Sequence, residues 1–181
     1  MISGLIPHRY AKALYKYAQQ SDTTRQVYEE MKRVIESFSA NPGLTKTLSN
    51  PFVEDADKEK LLLAAAGDKP GNDYRRFVRL ILDHKREEFA YLMALAYRDI
   101  YRKENNISQV RVTTAAALPP AEMAKLHGVV EKSFKDTKFE YTDKVDPSLI
   151  GGFVIDVDST RMDASVSGEL SQLRQTLLRS N

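Results

Sequence analysis

The chain has 181 residues, of which 42% are hydrophobic and 29% charged, so it can bury a core and stay soluble, and a disordered tail is excluded. It contains no Cys, which excludes disulfides, thiolate zinc sites and a Cys nucleophile. The net charge of +2 comes from Lys and Arg interleaved with Asp and Glu rather than from runs, so no electrostatic footprint for nucleic acid stands out, and no apolar stretch approaches membrane-spanning length.

The pattern changes character near Asn105, which predicts a mainly α fold in two parts: a six-helix bundle over residues 1–105 and a small α+β domain over 106–181. The first helix is predicted from Pro7 to Gln20, and Ser21, Asp22 and Thr23 offer capping side chains for a second. In that second helix Val27, Met31, Val34, Ile35 and Phe38 fall at core spacing and leave Glu29, Glu30, Lys32, Arg33 and Glu36 for solvent. Asn41-Pro42-Gly43 and Asn50-Pro51 bracket a two-turn helix carrying Leu44 and Leu48. Asp55 opens a fourth, through Leu61, Leu62, Leu63 and Ala66, which Gly67 can close in the left-handed conformation. Asn72 or Asp73 caps a fifth, running to about His84. The sixth, Glu87 to Glu104, is apolar on every side from Phe89 to Tyr97 and so predicts the middle of the bundle.

Beyond Asn106 the period becomes that of strands. Gln109 to Thr113 alternates, and Leu118-Pro119-Pro120 leads into a helix with Met123, Leu126, Val129, Val130 and Phe134 on one face. Phe139 to Thr142, Phe153 to Val157 and Arg161-Met162 read as further strands, separated by turns at Asp146-Pro147-Ser148 and Asp158-Ser159-Thr160. A last helix carries Val166, Leu170, Leu173 and Leu177 along one side. The expectation is a small sheet with helices against it.

Two helices are more apolar than one core requires. On the first, Ile6, Tyr10, Ala13 and Tyr17 form a stripe beside a second stripe of Ala11, Leu14, Tyr15 and Ala18, together roughly 200° of the girth where packing on one core needs a little over 100°. On the fifth, Phe77, Leu80 and Ile81 lie beside Tyr74, Val78 and Leu82. Either the bundle surrounds both helices, or a groove between them is left for the apolar face of a partner's helix, a use that suits Tyr10 and Tyr17.

No constellation for chemistry emerges. His8, His84 and His127 lack metal-ligand spacing and read as isolated surface residues. Asp143, Asp146, Asp156, Asp158 and Asp163 sit at turns and strand ends, where Asp collects anyway. Gly151-Gly152 lacks the rest of a dinucleotide fingerprint and fits a bulge or close backbone approach, and Ser165 fits a helix cap. Neither catalysis, a cofactor nor a metal is expected.

Several segments resemble the delta subunit of the F-type ATP synthase, called OSCP in mitochondria. Arg9-Tyr10-Ala11-Lys12-Ala13-Leu14-Tyr15 looks like that family's opening helix. The family's most recognisable signature is matched by Leu149-Ile150-Gly151-Gly152-Phe153-Val154-Ile155, followed by Asp163-Ala164-Ser165-Val166-Ser167-Gly168-Glu169-Leu170 and Leu173. Asn41-Pro42, Asn50-Pro51 and the Lys58–Lys60 region are also similar. Where family members often carry basic residues at the start of the last helix, this chain has Ser167 and Glu169.

The resemblance implies a non-catalytic stator subunit, one copy per complex, linking the catalytic alpha/beta hexamer to the peripheral stalk. Its helical domain would grip N-terminal segments of alpha subunits against the first and fifth helices, with Tyr10, Ala13, Leu14 and Tyr17 facing Phe77, Leu80, Ile81 and His84. Its C-terminal domain would hold the C-terminal ends of the b subunits, with Val166, Leu170, Leu173 and Leu177 as candidate contacts, and Gly151, Gly152, Asp163 and Ser165 as the structural signature. The expected place is the cytoplasmic face of a bacterial inner membrane, peripheral through the complex, with no direct membrane insertion and no nucleic acid. The alternative is an RNA-binding adaptor, with Lys103, Arg111, Lys125, Lys132, Lys135 and Lys138 facing phosphate.

Overall fold

The computed structural model describes residues 4–133 and 138–179. The chain divides into two compact units, Met1–Glu104 and Asn105–Asn181.

The first unit holds six α-helices: α1 (Leu5–Gln20), α2 (Thr24–Ala40), α3 (Gly43–Ser49), α4 (Asp55–Ala65), α5 (Asn72–Asp83) and α6 (Ala90–Glu104), the last preceded by a single 3-10 turn over Glu87–Phe89. Small residues decide how the bundle closes. Ala11 and Ala18 on α1 and Ala94 on α6 are fully buried, which lets the α1 and α6 backbones approach closely, and α2 packs on the same helix through Val27, Met31 and Val34. Aromatic rings fill the remaining gaps. Tyr28 stacks on Tyr101 at 4.1 Å between centroids, and Tyr97, fully buried, donates its hydroxyl to the Thr24 carbonyl at 3.1 Å.

Three expectations from helical periodicity are corrected here. Glu30, expected in solvent, is 1% exposed: its Oε1 accepts the Gly71 N–H at 2.7 Å and the Gln26 amide at 3.2 Å, tying α2 to the start of α5. Thr23 does not cap α2 with its side chain; its hydroxyl donates to Asp73 Oδ2 at 2.5 Å. And α6 is not surrounded, because Ala90, Met93, Ala94, Tyr97 and Tyr101 are buried while Leu92 stands in water. Only two helices, α1 and α2, pack along it extensively, so one flank stays open.

A buried ion pair also lies inside the bundle. Lys58 on α4 and Glu87 in the 3-10 turn are both buried and meet at 2.7 Å, although both occur in segments rich in charge that read as surface. Glu87 Oε2 has no hydrogen-bond partner among the described residues, so the carboxylate depends heavily on the ammonium beside it.

The second unit is a four-stranded sheet in the order β2-β1-β3-β4, with β1 (Ile107–Thr114), β2 (Lys138–Val145), β3 (Gly152–Val157) and β4 (Thr160–Ser165). The β1–β2 pair is parallel, joined through α7 (Pro120–Ser133), and the other two pairs are antiparallel. Val110, Val112, Ile155 and Val157 form the core with Val130 of α7, and Met123, Leu126, Phe139, Tyr141 and Phe153 pack around it. Val129, expected on that apolar face, is 47% exposed; Phe134 and Lys135 lie outside the described residues. The final helix, α8 (Val166–Arg179), has no buried residue. It touches β4 and the turn before β3 at its first turns, so the expectation that both helices pack on the sheet holds for α7 alone.

The buried pair yields a stability prediction. Lys58→Met strands the Glu87 carboxylate and is expected to destabilise the bundle by about 3–5 kcal/mol in urea unfolding, whereas Lys58→Met with Glu87→Leu recovers most of that loss. A single variant as stable as the wild type would show that the pair does not hold α4 in place.

Candidate partner-binding groove

The α1 helix divides its surface between two duties. Pro7, Ala11, Leu14 and Ala18 recur every three or four residues and are buried, whereas Tyr10, Ala13 and Tyr17 lie round the helix from them and stay accessible. The neighbouring α5 does the same: Tyr74, Phe77, Val78, Ile81 and Leu82 enter the core, leaving Leu80 at 43% exposure and His84 at the surface.

The two helices lie side by side and antiparallel. At one end the rings of Tyr10 and His84 meet edge to face at 6.4 Å, and His84 Nδ1 donates to the Leu80 carbonyl at 2.8 Å. At the other, the Arg76 guanidinium donates to the Tyr17 hydroxyl. Both contacts bridge the helices through side chains at the surface, so the seam between α1 and α5 is spanned at each end, with the exposed Ala13 and Leu80 on its two sides; this accessible seam is the candidate channel.

The eight residues expected to face a partner therefore fall into two groups. Tyr10, Ala13, Tyr17, Leu80 and His84 line the accessible channel. Leu14, Phe77 and Ile81 are buried beneath it, at 5%, 6% and 1% exposure, and set the spacing of its walls. Their periodicity alone could not separate wall from floor.

On the second unit, Val166, Leu170, Leu173 and Leu177 are all exposed, the three leucines at 53–72%, and Leu178 adds to them. The start of that helix is tightly specified. Asp163 Oδ1 accepts the Ser165 N–H at 3.0 Å and its hydroxyl at 2.6 Å, and Ser165 Oγ in turn accepts the Gly168 N–H at 3.0 Å, capping α8. The Ser165 bonds hold the Asp163 carboxyl below the usual carboxylate range. The paired glycines serve the same junction: a Cβ on Gly151 would lie 2.9 Å from Val166 Cγ2, while Gly152 (φ +72°) would press one against the Ala164 carbonyl.

The histidines are less isolated than their spacing suggests. His127 stacks on Tyr141 at 3.8 Å, and its Nε2 lies 3.2 Å from Asp143 Oδ1. Among the described residues no group of three or more His, Asp or Glu is placed to hold a metal ion.

Residues 6–177 match the family model described as ATP synthase delta (OSCP) subunit. The chain is similar to ATP synthase subunit delta of Phocaeicola vulgatus, 37% identical across all of this chain and 98% of the relative. It is 41% identical to ATP synthase subunit delta of Parabacteroides distasonis, over 97% of each chain. A chain in the Toxoplasma gondii mitochondrial ATP synthase hexamer has the same fold, with a TM-score of 0.71 and 20% identity over 95% of this chain and 97% of that one.

Floor and wall are separable by stability. Leu14→Ala, Phe77→Ala and Ile81→Ala are each expected to cost about 2–5 kcal/mol in urea unfolding, and Leu80→Ala only about 0.5 kcal/mol. An equal loss at Leu80 would mean that its side chain is part of the core.

Proposed function

The chain belongs to the ATP synthase delta (OSCP) family, and on that premise we propose that it joins the catalytic alpha/beta hexamer to the peripheral-stalk b subunits and resists rotor torque during proton-driven ATP synthesis. As a member of that family it is a stator subunit of the F-type ATP synthase and not itself catalytic. It is peripheral to the membrane, and among the described residues no helix is long and apolar enough to cross one. The Phocaeicola and Parabacteroides relatives are bacterial, which fits the further proposal of a place on the cytoplasmic face of an inner membrane, in one copy per complex.

One observation carries the reading: the α1–α5 channel keeps Tyr10, Ala13, Tyr17, Leu80 and His84 accessible beside two helices whose cores are already filled. An amphipathic helix from an alpha-subunit N-terminus would lay its apolar face there, entering with side chains at i, i+3 or i+4 and i+7. The leucine stripe of α8 is the corresponding surface for the C-terminal ends of the b subunits, since Leu170, Leu173 and Leu177 stand 53–72% exposed.

The mechanical demand is specific. The hexamer makes ATP only if it stays still while the central shaft turns, so the link must outlast torque at both ends. Nanomolar attachment corresponds to about 12 kcal/mol, within reach of a standard interface whose anchors are well buried. Because each domain grips a subunit of one assembly, release at one end leaves its partner at high effective concentration, and rebinding outruns loss. An RNA-binding role has no comparable support, because Lys125 and Lys132 alternate with Glu122 and Glu131 along α7.

Calorimetric titration with a peptide of the alpha-subunit N-terminus tests the proposal. Tyr10→Asp and Leu80→Asp are expected to weaken binding at least about tenfold, by placing a charge in an apolar contact, with helical content by circular dichroism unchanged. Wild-type affinity in both variants would reject the channel as the docking surface.

A further inference from the structure

A polar pocket lies where α1 ends and α5 begins, towards the Tyr17 end of the channel. One turn beyond the Arg76–Tyr17 bond, the Thr23 hydroxyl donates to Asp73, closing the α1–α2 turn onto the start of α5. There a cavity of about 480 Å³ is lined by Thr23, Gln26, Glu30, Gly71 and Asp73, with Tyr74 behind them.

Glu30 is the unusual member. It is 1% exposed, and while Oε1 accepts two hydrogen bonds, Oε2 has no partner among the described residues. A buried carboxylate oxygen without a donor is costly, and the charge is felt nearby: burial and then the Glu30 charge push the Tyr74 phenol up. The start of α5 already receives its negative charge from Glu30 and Asp73, so the pocket repels an anion. Arg75, the cation among the lining residues, donates its Nε–H to the Pro70 carbonyl at 3.0 Å. Room beside the carboxylate is tight at Gly71, where a Cβ would lie 2.3 Å from Gln26 Nε2 and 3.2 Å from Glu30 Oε1, and the flexible Gln26 side chain is the part that can give way; a compact ammonium asks for less displacement there than a planar guanidinium fork.

We propose that this pocket binds a primary ammonium group carried by the helix that occupies the α1–α5 channel, with Glu30 Oε2 and Asp73 as its acceptors. The inference rests on the channel being the docking surface for that helix. It assigns the pocket the register of docking: apolar side chains along the channel give adhesion, and the ammonium at its acidic end fixes which way and how far along the helix lies.

The test has two arms. In the first, the Glu30 carboxyl ¹³C resonance of the full chain is followed during titration with Nα-acetyl-lysine methylamide. A shift that saturates, and is absent with the Nε-acetylated compound, supports the pocket; no shift overturns it. In the second, alpha-subunit N-terminal peptides are compared with their lysines acetylated or with only the chain-terminal amine acetylated, which identifies the source of the ammonium. One of these is expected to bind wild type about tenfold more weakly than the free peptide, and to bind Glu30→Gln as well as the free peptide does. Gln26→Ala, which removes the side chain bonded to Glu30 Oε1 and opens the carboxylate, is expected to tighten the free peptide. Equal acetylation penalties in wild type and Glu30→Gln would overturn the proposal. If the lysine compound reaches Glu30 but no alpha peptide binds wild type, the pocket stands and the channel reading fails.

Discussion

The first helix has to satisfy two environments with one surface, and most of the bundle follows from how it does so. Ala11 and Ala18 have no bulk, so α6 can come close enough to bury a narrow strip, and that strip is all that α1 spends on its own core. A first helix with leucines at those positions would stand farther off and need more of its girth covered. Because it does not, Tyr10, Ala13 and Tyr17 remain beside α5, which sends Tyr74, Phe77, Val78, Ile81 and Leu82 into the core and leaves Leu80 out. The channel is thus a consequence of tight packing beneath it rather than of a gap in the fold.

Charge inside the bundle holds the ends of this arrangement. The Glu30 carboxylate receives the Gly71 N–H at the entrance to α5, and Thr23 reaches Asp73 from the turn after α1. Lys58 and Glu87 clamp the far side of the same unit, joining α4 to the turn that starts α6. Buried charges of this kind are weak sources of net stability, but they are strict about position, since a shifted helix leaves an ion unpaired. A subunit that transmits torque is well served by helices that resist sliding.

Much of this was readable in the residues. Capping residues, Pro and Gly breakers and apolar spacing located the six helices, the change of period near Asn105 separated helices from strands, and the Gly151-Gly152 and Asp163-x-Ser165 segments announced the junction that the structure builds from a close approach and a helix cap. What escaped was tertiary. Glu30 reads as a solvent residue of α2, and only the arrival of α5 buries it; Lys58 shares the buried face of α4 with Leu62 and Ala65, but spacing cannot name Glu87 as the partner that makes a charge tolerable there. The open flank of α6 escaped for the converse reason, because an all-apolar helix implies more neighbours than α1 and α2 supply. For α8, the leucine spacing is the same whether the stripe packs on its own sheet or waits for another subunit; its first turns alone touch the sheet. A face can be read from a helix, but not who covers it.

On the proposed function, apolar surface is left over on α1–α5 and on α8 because a joint between subunits keeps back part of its hydrophobic area for neighbours, at some cost in solubility while it is free. Amide hydrogen exchange, compared between the free chain and the assembled synthase, addresses this most directly. Slowed exchange over residues 10–17 and 76–84 on assembly is the predicted result, because a helix seated over α1 and α5 suppresses their local opening. Unchanged exchange in both segments, alongside protection elsewhere in the first unit, would contradict it and place the hexamer's grip on another face.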